Sequence, residues 1–351
     1  MSPLEAPAAG EVFVDPRFLG ALSDNHCIGS GTGWNPVQGI EAPAFLKTHS
    51  HGEFVFDWMW AQAAQQAGIR WYPKLLIAAP FSPVTGPRLC VGHASVERAQ
   101  QTLTQIEAFC QDANLSNAGI NFCSALDREV LDSSEWLARF DWQFHWENKG
   151  YRDFEDFLTT LKRKPRKNIK AERRKAHDQG WAFRWLDGDN LDEPTLRLAY
   201  QCYQTTHAMY GNHPALSFGF FSDIARELGE QFMLCVAGLD GQDLAAAIFF
   251  KDSERLYGRY WGSLIETKDV HFEVCYYQGI DYCIRHGLKW FEPGAQGEHK
   301  IKRGFLPQAT HSYHWFASDQ LKSAIGDYLR REKMALMAYR DDLASLNPYA
   351  E

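Results

Sequence analysis

The stretch from Leu256 to Phe305 constrains the fold more than any other part of this chain. It opens with Leu256-Tyr257-Gly258-Arg259-Tyr260-Trp261-Gly262, an aromatic run rich in strand formers. After a polar turn, Phe272, Cys275, Tyr276, Gly279, Ile280 and Cys283 recur at helical spacing, and Gly287 fits the residue just past a helix end. Leu288 to Glu292 then reads as a short strand stopped by Pro293-Gly294. Strand, helix and strand of these lengths predict a parallel pair joined by a right-handed crossover. Beyond the second strand crowd Glu292, Gln296, Glu298, His299, Lys300, Lys302 and Arg303. Ligands of open α/β sheets bind outside the carboxyl ends of the strands, so a site is expected here.

Upstream, the same order returns. Trp71 to Ala79 reads as a strand, Pro80 to Pro87 as a Pro-rich loop, Val96 to Asp112 as a long amphipathic helix and Gly119 to Cys123 as a buried strand. Two copies of one architecture are the simplest account. Asp57 is placed as the N-cap of a helix ending near Gly68. His49, His51 and Glu53 alternate ahead of it, so a strand would put them on one face. Three such groups could hold a metal, but no further ligand cluster accompanies them, and an active-site or hydrogen-bonding role is the better reading. Later come a strand at Phe140 to Trp146, helices at Tyr151 to Leu161, Glu193 to Tyr210 and Ser217 to Leu228, and a meander turning at Asp240-Gly241. An amphipathic helix closes the chain at Asp319 to Ser345.

Length and charge bound the function. A chain of 351 residues suits two domains. Net charge is −8, unevenly spread: residues 1–150 hold 9 Lys and Arg against 16 Asp and Glu. The whole is therefore no polyanion binder, and any anion site must be local. The eight cysteines form no Cys-x-x-Cys pair, which fits reduced core thiols in a cytoplasmic protein. No apolar stretch reaches the ~20 residues of a membrane helix, so no membrane insertion is expected.

One basic run stands out, from Lys162 through Arg163, Lys164, Arg166, Lys167, Lys170, Arg173 and Arg174 to Lys175. Pro165 fits the first helical position and Gly180 a helix end, so a basic helix is expected over 162–178. Such a run is commonly a solvated face. Cations in a first helical turn oppose the helix dipole, however, and a bound phosphate at Arg166 and Lys167 would turn that conflict into a site. tRNA is a third reading, although no aromatic stacking platform accompanies the run.

The pattern Gly-Arg-Tyr-Trp-Gly, then His-Phe-Glu-x-Cys-Tyr-Tyr-Gln from His271, then Glu292 to Lys300, resembles the FemAB-like predicted N-acyltransferases of the GNAT superfamily. So do His49 to Asp57, Tyr72 to Leu76 and Pro80 to Leu89, and the likeness spans nearly the whole chain. It implies an α/β (α+β) fold of tandem GNAT-like domains, each a mixed sheet flanked by helices. These would cover 11–147 and 148–318, with 319–345 packing back as a helix. It also implies an acyl or aminoacyl transferase using acyl-CoA or aminoacyl-tRNA as donor substrate, with no permanently bound cofactor. The acceptor would be a small-molecule or peptide-like amine, as in peptidoglycan precursors. A non-catalytic recognition protein for a phosphorylated or cell-wall-precursor ligand, or a tRNA-binding factor, is the alternative.

Acyl transfer to an amine needs a base, oxyanion donors and an acid for the leaving group. Glu273, Glu298, His299 and Lys302 are the candidate catalytic residues. Lys302 matches the Fem-type Phe-Lys-x-Gly-Phe-Gly pattern at Lys302, Gly304 and Phe305 and departs from it at Ile301 and Leu306. Candidate substrate-binding residues are His49, Glu53, Lys74, Arg166, Lys167, Tyr260, Tyr277, Gln296, Lys300 and Arg303. The Arg/Gln-x-x-Gly-x-Gly/Ala loop of typical GNAT enzymes has no clean copy, which weighs against a CoA donor and leaves aminoacyl-tRNA open. The segment from Val37 to Ala44 is short for the family, and a missing hairpin would account for it.

Overall fold

The computed structural model describes residues 9–92, 95–267, 269–295 and 297–350. In chain order these form α1 (Pro16–Asp24), β1 (Trp34–Pro36), β2 (Ala44–Lys47), α2 (Trp58–Gln66), β3 (Lys74–Ile77), α3 (Val96–Asp112), β4 (Asn117–Asn121) and α4 (Ala125–Leu131). Next come β5 (Leu137–Glu147), α5 (Phe154–Thr159), α6 (Arg163–Asp178), β6 (Ala182–Asp187), α7 (Glu193–Met209), α8 (Phe218–Leu228), β7 (Phe232–Leu239), β8 (Gln242–Lys251) and β9 (Arg255–Ser263). The expected crossover helix is α9 (Val270–Phe272), a π-helical turn (Glu273–Tyr277) and α10 (Gln278–His286). It leads to β10 (Trp290–Glu292), a 3-10 helix (Glu298–Arg303), β11 (Leu306–Phe316) and α11 (Asp319–Ser345).

The chain divides into two compact units. The first comprises residues 1–19, 28–142 and 309–342, the second 20–27, 143–308 and 343–351. The expected mixed α/β character holds in each. In the first unit the strands run β1-β2-β3-β4-β11. Its β3 and β4 are parallel and the other neighbours antiparallel. Helix α3 is the crossover of the parallel pair. Ser95 caps it by accepting from the Arg98 N–H, and Ala99, Leu103, Ile106 and Cys110 form its buried stripe. Burying Leu103 and Ile106 contributes about 1.5–3 kcal/mol each. The short 37–44 segment is itself the connection of a small antiparallel pair, β1 with β2, so an edge hairpin is present.

The second unit orders its strands β5-β10-β9-β8-β7-β6. Among the described residues β9 and β10 run parallel, as the sequence predicts, and the other neighbours antiparallel. Gly287 ends α10 in the left-handed region at φ 69°. Gly262 lies where β9 crosses α7, and a Cβ there would sit 1.8 Å from the Cys202 carbonyl oxygen.

Four expectations need correction. Residues 48–57 are loop rather than strand, because Gly52 and Phe54 take positive φ and break the extended path. Asp57 precedes α2 but makes no cap bond, since its carboxylate is engaged inside the unit. Helix α6 begins at Arg163, two residues before Pro165, with Lys162 at the cap position. β11 was not expected at all.

Candidate functional site

The opening in the second unit follows from strand lengths. β10 pairs with β9 only from Trp290↔Arg255 to Glu292↔Tyr257, while β9 runs on to Ser263. The two therefore part just beyond Tyr257. There Gly258 lets the chains approach: a Cβ on it would lie 3.3 Å from the Pro293 Cα and 3.3 Å from the Phe249 ring. On the other edge of β9 the register against β8 slips, with Phe249 opposite Gly258 and Ile248 opposite Tyr260. Arg259 is the extra residue, and a bulge of this kind re-aims its side chain.

The result is a cavity of about 100 Å³. Arg259, Tyr260 and Trp261 line it from β9, and His271, Cys275 and Tyr276 from the helix. The π-turn positions the helical wall. The Gln278 N–H bonds the Glu273 carbonyl five residues back, and such turns occur often at functional sites. Burial, then the neighbouring His299, Arg303 and Lys300, push the His271 imidazole down to about 4, so it is neutral at pH 7. Burial raises the Cys275 thiol, which removes it as a thiolate nucleophile. Lys300, buried behind the loop, donates to the Gly294 carbonyl at 2.7 Å, and desolvation lowers its amine to about 7.

The residues singled out from sequence fall into separate places around this cavity. Glu273 is fully buried and accepts from Arg173 on α6 at 3.1–3.2 Å and from Gln278 at 2.8 Å. Tyr277 donates to Glu172, and Arg303 holds the same carboxylate through two nitrogens while donating to the Tyr277 oxygen at 3.0 Å. The Arg303 guanidinium also covers the Phe272 ring at 3.6 Å. Glu273, Tyr277 and Arg303 thus tie the helix and the 3-10 turn to α6. Glu298, His299 and Lys302 are exposed. Of these His299 meets the cavity wall, its Nε2 2.9 Å from the Tyr276 hydroxyl. Burial and the cations of Arg303 and Lys300 lower its pKa, which favours the neutral imidazole. Tyr260 lines the cavity, and Gln296 lies outside the described residues. Lys167 is exposed and Arg166 half-buried at the start of α6, where Arg163 and Lys164 are exposed too. Among the described residues none of these four has an ion-pair partner.

His49, Glu53 and Lys74 belong to the first unit. His49 leans on the turn Gly29-Ser30-Gly31-Thr32-Gly33, its Nε2 3.0 Å from the Thr32 carbonyl. Gly33 makes room for that ring at φ 75°. Lys74 is buried and bonds Glu53 at 2.7 Å and Asp57 at 2.5 Å. Desolvation pulls its amine down, but the two carboxylates outweigh it and hold the ammonium above its ordinary range. Ser50 and Trp71 also donate to Asp57. Lys47 lies 3.7 Å over the Trp34 ring, and burial lowers it to about 7. Among the described residues no group of three or more His, Cys, Asp and Glu could hold a metal ion.

Sequence reasoning missed Arg259, His271, Cys275 and Tyr276 as cavity residues. The available signal was the glycine pair flanking Arg259-Tyr260-Trp261, since two glycines inside a strand mark a bulge or a close approach.

The FemAB-like family profile, described as peptidoglycan biosynthesis/recognition, matches residues 4–351. Among curated proteins none matches the sequence. The fold is similar to that of L-PGS from Bacillus licheniformis, at TM-score 0.53 and 9% identity over 94% of this chain and 99% of that one. It is also similar to the C-terminal domain (DUF2156) of a protein from Agrobacterium fabrum described as a lysylphosphatidylglycerol synthetase. There the TM-score is 0.51 and identity 11%, over 73% of this chain and 81% of that one. FemX aligns at TM-score 0.49 and 12% identity, over 72% of this chain and 86% of that one.

Proposed function

We propose, from the premise that this chain belongs to the FemAB-like family of peptidoglycan biosynthesis/recognition proteins, a family of acyl and aminoacyl transferases, that it moves an activated acyl or aminoacyl group to an amine in the second unit's cavity. The observation that carries this is the parting of β9 and β10. It leaves the edge of β9 beyond Tyr257 without a partner in β10, beside the half-buried Arg259. Main-chain N–H groups and a fixed cation at one spot are what a developing oxyanion needs. His299, neutral and in contact with Tyr276, takes the amine's proton. Glu273 holds the helix through Arg173 and does no chemistry, and Glu298 and Lys302 are exposed, outside the residues that line the cavity.

The donor is acyl-CoA or aminoacyl-tRNA, and the acceptor a peptide-like amine of a cell-wall precursor in the cytoplasm. No described helix is long and apolar enough to cross a membrane. The unpaired cations of the first turn of α6 favour a phosphate-bearing donor, with Arg166 and Lys167 on its backbone. A thermal-shift screen with acyl-CoAs, aminoacyl-tRNAs and UDP-sugar peptides tests the reading, since a ligand of the native state raises its melting temperature. The expected shift disappears in Cys275→Phe, which fills the cavity. No shift with either donor class overturns the proposal.

A further inference from the structure

A cavity of about 210 Å³ lies in the first unit, and α4, β5, β11 and α11 each supply part of its wall. Its frame is fixed by hydrogen bonds. Arg139 on β5 meets the Glu332 carboxylate on α11 through two nitrogens at 2.7–2.8 Å, and its third donates to the Phe56 carbonyl at 2.8 Å. The Trp142 indole donates to the Leu336 carbonyl at 3.0 Å, and the Thr310 hydroxyl to the Asp141 carbonyl at 3.3 Å. These bonds hold β5 to α11 on one side and to β11 on the other.

The polar groups inside are unevenly satisfied. Glu332 is taken by Arg139, and Asp132 accepts from the Tyr313 hydroxyl. The half-buried Arg128 stands four residues before Asp132 but makes no ion pair with it. Its guanidinium has no hydrogen-bond partner among the described residues, and neither has the exposed Lys333 ammonium. Burial, then Arg128, lower the His311 imidazole against the pull of Asp132, which favours the neutral ring. Arg128, Arg139 and Lys333 thus face Asp132 and Glu332, and one positive charge is left over. The rest of the wall is apolar: the half-buried Phe140 ring, the buried Leu329 side chain and Ala138.

Each feature restricts the occupant. A surplus of one positive charge matches a monoanion, and a phosphate dianion would reverse the sign. An unengaged guanidinium fork fits the two oxygens of a carboxylate. Phe140 and Leu329 favour a ligand with an apolar body over a hydrated inorganic ion. The volume falls short of the roughly 300–1,000 Å³ of pockets for drug-sized molecules, so the ligand is smaller than those. We propose that this cavity binds a small monocarboxylate on an apolar body, of about benzoate size, with Arg128 on the carboxylate and Phe140 and Leu329 against the body. The site stands on the first unit alone and does not depend on the acyl-transfer reading.

The probe is sodium benzoate. Benzamide is the uncharged isostere and sodium phosphate the anion without an apolar body, all at equal ionic strength. Titration calorimetry on the full chain is expected to show benzoate binding at least about tenfold tighter than either, the difference that one charge-assisted pair makes. Arg128→Gln is expected to bring benzoate to the level of benzamide while leaving the unliganded melting temperature nearly unchanged, since the guanidinium bonds nothing. Ala138→Trp fills the cavity with Arg128 still in place, and is expected to remove binding as well. No detectable benzoate binding, equal affinity for benzoate and phosphate, or binding that survives either substitution overturns the proposal. So does a crystal soaked in 4-bromobenzoate whose bromine lies outside the cavity.

Discussion

Replacing Glu273 by Gln separates an anchoring role from a chemical one. Its carboxylate is wholly buried, meets the Arg173 guanidinium at 3.1–3.2 Å, and lies 3.8 Å from His177. Gln keeps the shape and one acceptor but removes the charge. Leaving one half of a buried pair unmatched costs about 3–5 kcal/mol. The Arg173 side chain retains 20% exposure and its place over the Phe154 ring at 4.1 Å, which brings the cost to the bottom of that range or below it, roughly 2–3 kcal/mol. For a unit of this size each kcal/mol moves the melting temperature by about 2–4 °C, which gives a drop of roughly 4–12 °C. Calorimetry on Glu273→Gln, Arg173→Met and the double variant checks this. The double variant should lose less than the sum of the singles by about 1 kcal/mol or more. A Glu273→Gln protein that melts with the parent refutes the anchoring argument and makes Glu273 a candidate base once more.

Gly262→Ala should cost at least about 2 kcal/mol in urea denaturation, because its Cβ meets a backbone carbonyl that cannot swing aside. Gly287→Ala meets nothing within 4 Å and pays only the left-handed strain, about 1 kcal/mol. Lys300 predicts a pH effect. Its amine titrates near 7 when folded and near 10.4 when unfolded, so the unfolded chain binds more protons between those values and this group's contribution to stability rises with pH. The parent should gain about 2 kcal/mol relative to Lys300→Met between pH 7 and 9, and parallel profiles would contradict the burial of that amine. Lys164→Glu with Lys167→Glu should flatten the salt dependence of tRNA binding by about one log–log unit for each phosphate no longer neutralised, and an unchanged slope removes α6 from the donor site.

Helices were the legible part of this chain. α3 and α11 end where periodicity puts them, because an amphipathic stripe must face a core whatever the core is. β11 escaped notice because Leu306-Pro307-Gln308-Ala309-Thr310-His311 carries no alternation, and it pairs through Ser312 to Phe316 with β4, nearly two hundred residues earlier. The site was legible to the level of the strand end and no further. Burial of Lys47, Lys74 and Lys300 contradicts what lysine usually does, and only the assembled unit supplies the carboxylates, ring and carbonyl that make it tolerable. Glu298 and Lys302 looked catalytic by proximity along the chain, but a 3-10 turn alternates its faces, sending Lys300 and Arg303 inward and those two outward.

The π-helical turn bears on how this chain can change over generations. Such a turn is one residue more than an α-helix requires, so excising Val274 leaves a hydrogen-bonded helix that is shorter by a single position. α10 is pinned, since a Cβ on Gly279 would fall 2.4 Å from the Phe291 ring. The wide turn already absorbs its extra residue, so the segment before the excision keeps its facing, with His271 still toward the cavity. What narrows is the wall between Glu273 and Tyr277, where Cys275 and Tyr276 stand. Lineages that keep that width should keep the extra codon.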